Sequence, residues 1–198
     1  MNKKSICLGI ILTILSIGTV LSHGLSMTTA SVSLRQKNHI SIRIQTSLPD
    51  LASRMNWPGK PKSLMHLSSA DEKQMVLFRQ ALVKLFTKGM PITIGNKPMQ
   101  SQMARPPTVK RLRKMLQSIV AEQIMKAKQP VNPGHGPHER ADYIEIFVDG
   151  FVAKNVDGRD LYIPFPTELG PITVSYSKPQ MQTLSAGEKA TGYRQVLD

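Results

Sequence analysis

Two short rows of alternating residues constrain this chain more than any other feature. Ala30, Val32 and Leu34 alternate with Ser31, Ser33 and Arg35, and Ile40, Ile42 and Ile44 alternate with Ser41, Arg43 and Gln45. A period of two on both sides of Gln36-Lys37-Asn38 predicts two antiparallel strands joined by a tight turn. Asn38 tolerates the positive φ that such a turn uses. Each strand carries one apolar row, so one face of the resulting sheet must cover a core.

The middle of the chain changes period. A turn of helix is expected over 51–55, and Trp57-Pro58-Gly59-Lys60-Pro61 is a loop by its turn residues. Ser69-x-x-Glu72 reads as a capping box. Met75, Phe78, Leu82 and Leu85 follow at helical spacing, and Gly89 stands where a C-cap belongs. The spacing predicts a helix over 70–87. Ile92-Thr93-Ile94 before Gly95-Asn96 reads as a short strand and turn. A second helix follows Pro106-Pro107, with Thr108 as its cap and Val109, Leu112, Leu116 and Ile119 as its apolar stripe. Gln129-Pro130 stops it.

Beyond a Pro/Gly-rich loop at 130–138 the period returns to two. Residues 143–148 are apolar on both faces, which predicts a central strand. Asp149-Gly150 reads as a hairpin turn, with 151–153 pairing back. Asp157-Gly158 gives a further turn before 161–163. Strands are expected at 172–176, and edge strands at 181–184 and 193–197. Strands, then helices, then strands define an α+β fold. The arrangement expected is an antiparallel β-sheet or small β-sandwich with an inserted pair of α-helices, the insert covering about residues 69–129. A two-layer sheet with both helices on one face is the alternative.

The first 22 residues follow another logic. Lys3-Lys4 lead into the nearly uncharged run from Ile6 to Leu21, and the small Ser22 ends it. This is the pattern of a cleavable signal peptide over residues 1–22. The run is shorter than the ~20 residues that usually span a bilayer, and a retained N-terminal anchor is the alternative. Residues 23–198 are then expected to form a single exported domain, periplasmic or secreted. Cys7 falls inside the leader, so that domain contains no cysteine.

Charge narrows the partners. The chain carries a formal +13, and without Lys3 and Lys4 there remain 24 basic against 13 acidic side chains, a balance of +11. Aromatics are only 5% and alternate with no basic residues, which argues against a nucleic-acid platform. An exported basic domain meets anionic head groups, anionic polymer or acidic proteins instead. The densest cluster is Lys110, Arg111, Arg113 and Lys114 around Leu112. These four residues are the expected contacts to an envelope protein or anionic surface, and a solvated helix face is the ordinary alternative.

No enzyme signature is present. The chain has no Gly-x-Ser-x-Gly, no His-Glu-x-x-His, no phosphate loop and no dinucleotide fingerprint. The acidic stretch 155–160 lacks the spacing of a calcium loop. Histidines support a second reading. His135 and His138 lie three apart in a loop, and cleavage would make His23 the new N-terminus, whose amine and imidazole suit Cu or Ni. Met99 and Met103 add thioethers that suit Cu(I). No cofactor is required by the first reading. The second is a periplasmic copper- or nickel-binding accessory protein using His23, His135 and His138.

From His23-Gly24-Leu25-Ser26 through Ile40-Ser41-Ile42-Arg43-Ile44-Gln45, the chain resembles two groups of exported domains. One is the small sandwich domain that precedes hydrogenase- and urease-accessory metal permeases. The other is a set of uncharacterised exported β-rich domains with a histidine after the signal. The resemblance implies an exported β-rich domain associated with metal, and it carries over no catalytic residue.

Overall fold

The computed structural model describes residues 27–35, 39–95, 97–128, 142–152 and 161–177. The leader, His23, the loop with His135 and His138, the turn at 157–158 and the expected strands at 181–184 and 193–197 lie outside them.

The alternating rows form the expected hairpin, β1 (Thr28–Arg35) and β2 (His39–Ser47). Ile40, Ile42 and Ile44 are fully buried, and Val32 and Ala30 sit opposite Ile42 and Ile44. Ser47 ends β2 and caps α1 (Leu48–Arg54), its hydroxyl accepting from the Asp50 N–H. A second short helix, α2 (Leu64–Ser68), is capped by Ser63. Then come α3 (Glu72–Thr87), the two-residue strands β3 (Thr93–Ile94) and β4 (Lys97–Pro98), and β5 (Gln100–Arg105). The 20-residue α4 (Val109–Lys128) follows, then β6 (Tyr143–Phe151), β7 (Leu161–Tyr162), a 3-10 turn at Thr167–Leu169 and β8 (Ile172–Ser177).

The main sheet has the order β5-β6-β2-β1-β8, and β4-β3-β7 make a smaller one. Mixed helices and antiparallel strands give the α+β class read from the sequence. Of the two arrangements open at that stage, the described residues take the two-layer one. Inward residues of β1, β2 and β6 join the core-facing residues of all four helices in one apolar cluster. Outward Ser31, Arg43 and Gln45 are exposed. Phe78 is fully buried within this core, with Trp57 packed on it in a tilted arrangement at 4.9 Å between ring centroids. Burial of each such side chain stabilises by about 1.5–3 kcal/mol.

Several expectations are corrected. Asp149-Gly150 is no turn: β6 runs straight through to Phe151, paired residue for residue with β2. A Cβ on Gly150 would lie 2.8 Å from the Met99 side chain, so glycine serves a close approach and not a reversal. Ser69 does not cap α3: it is the C-cap residue of α2, its hydroxyl donating to the Met65 and His66 carbonyls, and α3 begins only at Glu72. Asp71 caps α3 instead, accepting from the Gln74 N–H at 2.7 Å. Lys88 is the C-cap residue of α3 and Gly89 follows it; a Cβ there would stand 2.6 Å from the Leu85 carbonyl oxygen. The helical insert over 69–129 is interrupted, since β5 lies between α3 and α4 and joins the main sheet. The sheet is also mixed, because β8 pairs parallel to β1.

Two arginines dock the long helices. The Arg79 Nε donates to the Pro107 carbonyl at 3.1 Å, and Arg113 reaches Glu72 at 3.0 Å. Moving forward along α4 is therefore moving backward along α3, an antiparallel pair.

Candidate binding surfaces

α4 opens where β5 ends. The Thr108 hydroxyl accepts from the Arg111 N–H at 3.3 Å and sets the first turn. Leu112, Leu116 and Ile119 are buried, as their spacing predicted. The same geometry sorts the four basic residues. Lys110, Arg111 and Lys114 are exposed, and none forms an ion pair among the described residues. Arg113 turns inward to Glu72 and to the Ala70 carbonyl, so its guanidinium ties α4 to α3. The first turn of α4 has no acidic residue. Lys110 and Arg111 thus stand in the turn that already carries the positive pole of the macrodipole, and Lys114 follows one turn on.

Arg111 also reaches over the sheet. It lines a cleft of about 630 Å³ together with Met115 of α4 and Thr29, Gln45, Tyr143 and Glu145 of the strands. Glu145 is neutralised there by an ion pair with Arg43. Arg111 is the cleft's unpaired charge among the described residues.

The outward face of the main sheet carries a second group that the sequence did not suggest. Asp149 is 7% exposed and pairs with Arg105 of β5, while His39 of β2 lies 3.6 Å from its other oxygen. His39 in turn packs on Phe151 at 5.2 Å. Asp149 therefore ties three strands across the sheet. Ser41 stands opposite Asp149 in register, but no hydrogen bond joins it to His39 among the described residues. The trio lacks the nucleophile–base link that acyl transfer needs. The signal for this group was the Asp-Gly pair itself, which turn chemistry absorbed.

The metal ligands expected at His23, His135 and His138 lie outside the described residues. Among the described residues no three His, Cys, Asp or Glu side chains are grouped to hold a metal. Met99 and Met103 do not act together: Met99 is buried against Gly150, while Met103 is 58% exposed on the opposite face. An odd number of residues would place them so in a regular strand, and the bulge in β5 between Gln100 and Met103 supplies the offset. His66 is bound at 2.8 Å to the Ser63 hydroxyl at the start of α2. No described helix is long and apolar enough to cross a membrane.

No protein-family model, curated protein or solved structure matches this chain.

Proposed function

We propose that this chain is an exported, non-enzymatic envelope protein, periplasmic or secreted, that binds an acidic surface on another envelope component through Lys110, Arg111 and Lys114. One observation carries the reading. Three exposed cations without partners among the described residues sit in the first two turns of α4, where Lys110 and Arg111, inside the first turn, each cost about 0.3–1 kcal/mol of helix stability at low salt. A local conflict of this kind is expected where binding is selected over stability. An anionic partner removes the conflict, because backbone N–H groups and side-chain cations then face the same negative charge. The cleft beneath Arg111 gives such a partner a polar recess beside the charged face.

Capture from envelope extracts tests the proposal. The wild-type chain should retain a component at low salt that is lost when Lys110, Arg111 and Lys114 are all changed to Ala. A control chain with Lys62, Lys73 and Lys97, also exposed, changed to Ala has the same net charge. Equal loss from both variants would reduce the effect to bulk charge and sink the assignment to α4. N-terminal sequencing of the exported protein tests the localisation, with His23 as the expected first residue.

A further inference from the structure

A groove of about 570 Å³ lies between α3 and the loop after α1, and it shares no lining residue with the basic face or its cleft. Met55 and Trp57 form one wall. Leu77, Ala81 and Leu85 form the other, spaced one helical turn apart on α3 and half-buried. They make a second apolar stripe beside the core-facing Met75, Phe78, Leu82 and Phe86. Phe78 backs Trp57, so the indole is a fixed wall.

The charge at the groove is asymmetric. Lys84 and Lys88 are one turn apart, exposed, and without an acidic partner among the described residues. Glu168 is the one acidic lining residue, which leaves an excess positive charge. Lys84 in the last turn of α3 and Lys88 at its C-cap are favoured there by the helix dipole, and an anion between them relieves their mutual repulsion. Ligand sites commonly enclose about 300–1,000 Å³, with apolar walls and a few polar groups that fix orientation. This groove has that volume and that composition.

We propose that the groove binds a single-chain fatty carboxylate. Its alkyl chain lies along Leu77, Ala81 and Leu85 against Trp57, and its head group sits between Lys84 and Lys88. The site is independent of the anionic contact at α4 and uses none of its residues.

Trp57 is the only tryptophan in the chain, so its emission reports on this groove or on the smaller recess it also lines beside Pro61 and Leu64, and Ala81, which lines only the groove, tells the two apart. The full chain is titrated with decanoate, dodecanoate and tetradecanoate below their micellar concentrations. A saturable change in Trp57 emission is expected, with affinity rising about fourfold per added methylene. Dodecyltrimethylammonium should bind about tenfold more weakly than dodecanoate. Ala81→Phe fills the groove and should abolish the response. Lys84→Gln with Lys88→Gln, which removes the charges without placing acids at the C-terminal end of α3, should weaken dodecanoate about tenfold. Lys110→Ala with Lys114→Ala should change nothing, which separates this site from the basic face. Absence of a saturable response, an unaltered response in folded Ala81→Phe, or equal binding of the cationic amphiphile would each overturn the proposal.

Discussion

Asp149 shows how much one side chain can hold. Its carboxylate is nearly buried, accepts from Arg105 and faces His39, and its strand position is shared with Ser41 and Met103. Removing it strips a partner from two neighbouring strands. Asp149→Ala should cost about 1–3 kcal/mol in urea unfolding. Arg105→Ala, at a side chain 65% exposed, should cost less than about 1 kcal/mol. The glycines divide in the same way. Alanine at Gly89 would meet the backbone oxygen of Leu85, which has no freedom to move, whereas at Gly150 it would meet the flexible Met99. Gly89→Ala should therefore lower the denaturation midpoint further than Gly150→Ala, by a difference on the order of 1 kcal/mol.

Helix ends carry the next level of argument. Asp71→Ala removes the hydroxyl-free but charged cap of α3 and should cost about 1 kcal/mol, while Ser69→Ala should leave α3 nearly unchanged. Paired urea curves for the two variants separate the two candidate caps. At α4 the sign reverses. Lys110→Glu places an acid in the first turn of α4, so it should stabilise by about 0.3–1 kcal/mol while weakening capture of an acidic partner; Lys114→Glu, in the second turn, should weaken capture with little change in stability. Stability that rises as binding falls would mark Lys110 as kept for contact. The elements most legible in the sequence were those with one buried face, such as β2 with its three isoleucines and α4 with its apolar stripe. β5 was not legible, because it is held by polar work. Gln102 donates to the carbonyls of Phe86, Thr87 and Met90 at the end of α3, a task that leaves no apolar period to read. The groove was half visible. Leu85 was counted with the core stripe, but the fully buried position is Phe86, and Leu85 lines the groove.

Across the molecule, the pairing of β1 with β8 was beyond the reach of local pattern, since nothing in either strand specifies a parallel neighbour so distant in sequence. Thr28 makes the closure explicit: its hydroxyl meets Thr46 at 2.9 Å and donates to the Leu169 carbonyl at 2.8 Å, across 141 residues of chain. Strand pairings of such long range slow folding. Refolding after rapid dilution from urea should take milliseconds to seconds, measured by stopped-flow emission of Trp57, and a microsecond phase carrying the full amplitude would contradict it. The same closure sets a clock during synthesis. At roughly 5–20 residues per second, β8 follows β1 from the ribosome by on the order of ten seconds. Through nearly all of that interval the hairpin of β1 and β2 lacks both of its sheet neighbours, since β6, which flanks β2, is also made late. On the export proposed above, these late strands would leave the sheet unclosed while the chain is still crossing.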